Sequence, residues 1–256
     1  MDEFVLEEQN YKFIRAQKWE AAVLPFGATE PHNLHLPYGT DNYQSVAVGR
    51  RACQLAYDKG ARVLLLPNIP YGVNTNHMKI PGGFSMSLCP TTLLKILTDI
   101  VESLRAHGVR KLMLLNGHGG NELKPLAREL HHKTDVFICI CDWYNVEQDQ
   151  KPKIFKNSGG HADEMETSMA LAFFPQFVHM EQAGKGAARP TRFEAINKGI
   201  ISISRPWHLL SDDTGHGDPT SATAEKGRQY MDLVAQRIGD FLYELAKSPL
   251  DEKFPF

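Results

Sequence analysis

The chain has 256 residues, 42% of them hydrophobic, with a net charge of −2 and a pI near 6.6. That suits one large single-core domain over residues 1–256. The near-neutral balance argues against nucleic acid as a partner, and no apolar run approaches the ~20 residues of a membrane span. The acidic start, Met1-Asp2-Glu3-Phe4, lacks the basic and apolar stretches of a secretory leader. The four cysteines (Cys53, Cys89, Cys139, Cys141) read as reduced, buried thiols. The expected location is therefore the cytoplasm.

Taken in chain order, residues 21–24 form a short apolar strand ending at Pro25. Thr40 or Asp41 caps a helix in which Val48, Ala52, Leu55 and Ala56 recur at helical spacing. Residues 62–66 read as a buried strand stopped by Pro67. Leu93, Leu97, Ile100, Val101 and Leu104 mark an amphipathic helix ending near Gly108. A strand over 111–115 runs into the glycine-rich turn 116–121. Another helix follows, then a strand over 136–141 that places Cys139 and Cys141 on one side. Met165, Ser168, Met169 and Ala172 give a helix with Pro175 beyond its end. Within the irregular stretch 184–205, residues 200–203 read as one more strand. A last helix over about 222–246 carries the stripe Tyr230, Val234, Ile238, Phe241 and Leu245. Alternating strands and helices imply an α/β sandwich with a mainly parallel sheet, whose ligands sit at the carboxyl ends of the strands.

Three polar segments fall at those ends. Glu30-Pro31-His32-Asn33-Leu34-His35, with Asp41 close behind, mixes imidazoles and carboxylates, the donors that divalent transition metals favour. In extended chain Glu30 and His32 share a side, and an Asp41 carboxylate has two oxygens with which to bridge two ions. A polar loop with exposed histidines is the plainer reading. Asn116-Gly117-His118-Gly119-Gly120-Asn121 presents a histidine in a loop whose glycines allow close backbone approach and positive φ. It lacks the Lys-Ser/Thr of a phosphate-binding loop. Gly159-Gly160-His161-Ala162-Asp163-Glu164-Met165-Glu166 opens a helix. His161 and Glu164 share a face there, while Glu164 and Glu166 lie about 200° apart, so one carboxylate at most faces a given ion. Ordinary helix capping explains the same acids. His77 and His216 sit in polar loops and are candidates to line a pocket. Trp143 follows a strand end where a pocket wall would be, although an aromatic there is more often core. His107, His131, His132, His179 and His208 carry no supporting pattern.

Together these segments resemble the creatininase family of amidohydrolases. The resemblance rests on residues 24–37, Thr40-Asp41, residues 116–121 and 161–168, and a C-terminal pair, Gly217-Asp218-Pro219-Thr220 with Ala224-Glu225-Lys226-Gly227. It implies a three-layer α/β/α fold, two divalent ions (zinc, manganese or iron) and a hexamer assembled from dimers. By resemblance, one ion is held by Glu30, Asp41 and His118. The other is held by His32, the bridging Asp41 and one further carboxylate. His161 corresponds to the catalytic or substrate-contacting histidine, and His35 is left out of the coordination. Creatininase itself carries an aromatic residue and a glutamate ligand where this chain has Gly119 and Gly120. Glu164 is the expected replacement, with Glu166 as the alternative. Asn157 stands where creatininase has a tryptophan over its substrate, which points away from creatinine and toward formamide-like or other small amides.

The implied chemistry is metal-assisted hydrolysis of a non-peptide or cyclic amide. His161, with a pKa near neutrality, would carry a proton to the leaving nitrogen. The amides of Gly119 and Gly120 would stabilise the oxyanion, and Trp143 and His77 would contact substrate. A non-catalytic metal- or ligand-binding protein on the same fold is the rival from another class.

Overall fold

Four apolar runs become strands and the helical repeats between them become crossovers. The computed structural model describes residues 2–157 and 159–256. Its longer elements are β1 (Ala21–Phe26), α1 (Thr40–Asp58), β2 (Val63–Leu65), α2 (Pro90–Ala106), β3 (Lys111–Asn116), α3 (Leu123–Leu130), β4 (Phe137–Asp142), α4 (Glu164–Phe173) and α5 (Ala224–Lys247). The strands form one parallel sheet in the order β2-β1-β3-β4. All residues of β1 and β3 are buried. A central parallel strand is covered on both faces, which is why these runs are continuously apolar rather than alternating.

The sheet divides the core in two. Ala21 and Val23 of β1, with Val63, Leu65, Met113 and Leu115, face a layer made by α1, α4 and α5. Ala22, Leu24 and Phe26, with Leu112 and Leu114, face α2 and α3. This is the expected three-layer α/β/α sandwich. The buried Lys111 ties sheet to helix, since its ammonium donates to the carbonyls of Leu245 (2.8 Å), Ala246 (3.0 Å) and Ser248 (2.6 Å), which no further helical amide satisfies. The chain leaves β1 toward β2 on one side and returns to β3 on the other. The carboxyl ends of β1 and β3 therefore flank the point where the sheet order reverses, the usual ligand crevice of such sheets.

Several local expectations need correction. β1 does not stop at Pro25 but runs through Phe26. The Pro25 carbonyl faces away from β3 and accepts from the Ile69 amide (3.0 Å), so the missing N–H takes no bond from the β3 ladder. Neither Thr40 nor Asp41 caps α1; Gly39 holds that position, and the Thr40 hydroxyl donates to the Pro37 carbonyl. Leu242, not Phe241, completes the buried stripe of α5, because steps of four from Val234 through Ile238 land on 242. Residues 200–203 form no strand; Ile200 is 74% exposed and has no sheet edge to join. All four cysteines are free, but only Cys53 is fully buried and Cys89 is exposed.

Candidate metal centre

Each polar segment is delivered by the end of a different element. Past β1, the chain crosses Gly27 and Ala28 to Glu30, whose amide donates to the Tyr38 carbonyl (3.1 Å). A tight loop, with Asn33 at positive φ and a bridge between His32 and Leu36, turns His32 inward. Asp41 lies in the first turn of α1. At the end of β3, Asn116 knits the His118 loop. Its side chain accepts from the His118 amide (3.2 Å) and donates to the His118 carbonyl (3.0 Å) and Asp142 (2.8 Å).

The glycines of this loop serve space rather than positive φ, which none of them adopts. A Cβ on Gly117 would lie 2.0 Å from the Ser45 hydroxyl. One on Gly120 would lie 2.4 Å from His118 Nε2 and 2.7 Å from the Val73 carbonyl. A glutamate at position 120 is thus incompatible with this loop as it stands.

The side chains converge on three overlapping sets, Glu30–Asp41–His118, His32–Asp41–Glu166 and Glu30–His32–His161, and the first two share Asp41. Asp41 divides its oxygens between those two. Oδ1 lies 2.9 Å from His32 Nε2 and Oδ2 lies 3.1 Å from His118 Nδ1. Glu30 Oε1 lies 3.1 Å from His118 Nδ1, and Glu166 Oε2 lies 3.9 Å from His32 Nε2. Ligand bonds of about 2.1 Å in tetrahedral array put neighbouring donors about 3.4 Å apart, which is the scale of these separations. Glu30 Oε2 and Asp41 Oδ2 are buried without hydrogen-bond partners, a costly condition that a cation relieves. His32 Nδ1 donates to the Glu30 carbonyl (3.1 Å), which leaves Nε2 free as a donor atom for a metal. The residues present therefore fit divalent metal.

Glu164 does not join them. Its carboxylate turns outward to the Lys226 ammonium and accepts from the amides of Lys156 and Asn157, both at 2.8 Å. The reason is where the helix begins. Asp163 is the N-cap, accepting from the Met165 (3.0 Å) and Glu166 (3.1 Å) amides, so His161 precedes α4 and shares no helical face with Glu164. Glu166, two residues on, faces the opposite way and enters the site, with one oxygen held by the Ala162 amide (2.6 Å). Trp143 is fully buried in the core beneath the strand ends and is not among the residues that line the cavity over the cluster. His35 stays outside, its Nε2 2.9 Å from the Thr167 hydroxyl.

The charges of this metal-free cluster are strongly coupled. Burial alone would neutralise His32, but Asp41, Glu166 and Glu30 hold its imidazolium up to about 10. His118 is likewise pulled well above its usual value, with Glu30 and Asp41 outweighing burial. Burial raises Glu30 and Asp41, yet the facing imidazoles hold both below the usual carboxylate range. Glu166, buried and near Asp41, is pushed up to about 8. His161 does not sit near neutrality. Burial and the adjacent His32 imidazolium push it down to about 3. Its Nε2 donates to the Pro31 carbonyl (3.0 Å), so the Nδ1 lone pair faces Glu30 Oε1 at 3.7 Å.

A cavity of about 550 Å³ opens onto this cluster, lined by Glu30, His77, His118, Gly119, Gly120 and His161. Among the described residues, the Gly119 and Gly120 amides donate to no protein acceptor. His77 reaches within 3.1 Å of Glu30 Oε2, and burial pushes it down to about 4. Two wall residues were not expected from the sequence. Trp207 packs its ring 4.5 Å from His161 and 4.9 Å from His77, and Arg205 lies beside it. Both belong to the irregular stretch, where no periodicity flags a functional side chain.

Known proteins resemble this chain in sequence and in fold. The profile of the family Creatininase (creatinine amidohydrolase) matches residues 7–242. The 3-dehydro-scyllo-inosose hydrolase of Thermotoga maritima is 32% identical, the match covering 94% of this chain and 81% of that one. A candidate creatinine amidohydrolase from Bacteroides fragilis, solved by crystallography, superposes with a TM-score of 0.91 at 33% identity, over 98% of this chain and all of that one. A manganese form of creatininase shares the fold at a TM-score of 0.74 and 25% identity, over 96% and 99% of the two chains.

Proposed function

The chain belongs to the creatininase family of amidohydrolases, and from that premise we propose that it hydrolyses a small-molecule amide with two divalent metal ions. The carrying observation is Asp41, whose two oxygens serve two separate ligand sets. Glu30, Asp41 and His118 would hold one ion, and His32, Asp41 and Glu166 the other. Zinc and manganese suit this mixture of imidazole and carboxylate, and iron is compatible. When bound, such a pair supplies an activated water and a Lewis acid for the carbonyl.

The chain's own residues do the rest. The Pro31 carbonyl holds the His161 Nε2–H, so Nδ1 is the atom that accepts a proton and returns it to the leaving nitrogen. The free amides of Gly119 and Gly120 meet the oxyanion. His77 and Trp207 close the wall beside His161 and exclude water. We read residues 1–256 as one hydrolase domain acting as a homo-oligomer, a hexamer by family resemblance. Four free thiols support a cytoplasmic setting.

The test is turnover of a panel of formamides and cyclic amides by zinc- or manganese-loaded protein. At least one member should be hydrolysed, with a 10²–10⁴-fold loss in His161→Ala. Full metal occupancy with no turnover of any member would favour the non-catalytic binding protein instead.

A further inference from the structure

We infer that Arg205 reads a carboxylate on the substrate, so that the amide cleaved belongs to a carboxylate-bearing molecule. This rests on the proposed metal centre and names the chemistry at the other end of its cavity. Arg205 lines the same cavity as Glu30, His118 and His161. The residue is exposed, and three contacts orient it. Its guanidinium carbon lies 5.2 Å from the Trp207 ring centroid, its carbonyl accepts from the Asn76 side chain (3.1 Å), and Nη1 lies 3.4 Å from His216 Nδ1. The Trp207 ring that carries it also packs on His161, so the cation stands one aromatic ring from the reacting centre.

A guanidinium has five N–H donors, and among the described residues His216 alone takes a side-chain bond from this one. No carboxylate of the described residues lies within ion-pairing distance of it. An exposed cation set over an aromatic wall at the cavity, with most of its fork unused, fits the planar two-oxygen geometry of a carboxylate. The hydroxyl-bearing residues Ser202 and Ser204 line the cavity next to it. Glu122 lines the same cavity, so the substrate carboxylate is drawn to the Arg205 side of the pocket and repelled from the Glu122 side.

Hydroxamates separate the two halves of the claim, because the hydroxamate group anchors on bound metal whatever its tail. The probes are ω-carboxy hydroxamates with two to five methylenes and the matching ω-carboxamides, titrated calorimetrically into zinc-loaded full-length protein. At the length that spans the cavity, the acid should bind at least tenfold tighter than its amide. That preference should fall to within twofold of unity in Arg205→Gln and survive in part in Arg205→Lys. Equal binding of acid and amide at every length, or a preference that persists in Arg205→Gln, overturns the inference and leaves the metal centre standing. Failure of every probe overturns it too. Zinc analysis of the same sample then separates the causes: with two ions bound, the cavity assignment alone is wrong, and with none bound the metal reading falls as well.

Discussion

Glu164 and Glu166 differ by two positions, and exchanging each for glutamine should give opposite phenotypes. Glu164→Gln removes a buried charge that accepts from Lys226 and from two backbone amides. Breaking one side of such a pair leaves a partly buried ammonium uncompensated, at about 2–4 kcal/mol. For a chain of this size that is a fall in Tm of roughly 4–16 °C. Metal content should not change.

Glu166→Gln touches the second ligand set instead. In the metal-free protein its carboxyl is carried from 4.5 to about 8 by burial, against the pull of His32. The sign follows. A raised carboxyl disfavours the fold progressively as pH climbs from about 4.5 to about 8, and by a constant amount above that. That amount is of order 5 kcal/mol against a neutral group of the same shape. Metal-free Glu166→Gln should therefore be at least as stable as wild type at pH 8, while binding the second ion ten- to a thousandfold more weakly. Thermal melts with and without chelator, paired with metal analysis by mass spectrometry, read both quantities. The reverse pattern, an ion lost from Glu164→Gln with Tm unchanged, or both ions held normally by Glu166→Gln, refutes the reasoning.

Three other outcomes are expected. Gly120→Ala pushes a methyl group against His118 Nε2 and the Val73 carbonyl, so affinity for the first ion should drop at least tenfold in competition with a chromogenic chelator. Lys111→Met leaves three carbonyls at the end of α5 without their cation and should cost about 2–4 kcal/mol in urea denaturation with metal content intact. Metal binding must expel the protons that His32 and His118 hold in the metal-free protein, since both are raised above neutrality. Affinity should thus rise with pH between 6 and 8, and calorimetry in buffers of differing ionisation enthalpy should show proton release; a pH-independent affinity contradicts this.

Much of the fold was legible because parallel strands buried on both faces must be apolar throughout, as β1 and β3 are, and the half-buried edge strand β4 still reads as an apolar run. Placement of Glu30, His32, Asp41 and His118 followed from the same logic, since each leaves the carboxyl end of a strand or opens the next helix. What escaped was local. The choice between Glu164 and Glu166 turns on Asp163 acting as N-cap, and shifting the helix start by a residue reverses which acid points inward. Trp143 packs in the core, the plainer of the two readings of an aromatic at a strand end. Trp207 and Arg205 sit in a stretch held by turns and side-chain bonds, where neither a helical nor a strand period exists to read. His161 lies beside the cluster but lacks the expected near-neutral acidity, because burial and then the neighbouring His32 imidazolium push it down.

The central claim is that Asp41 joins two metal sites, and metal stoichiometry tests it most directly. Wild-type protein loaded with zinc or manganese and dialysed should retain two ions per chain, and Asp41→Asn, which keeps the shape but loses the bridging charge, should retain fewer than one. Wild type holding no ion, or Asp41→Asn still holding two, contradicts the account.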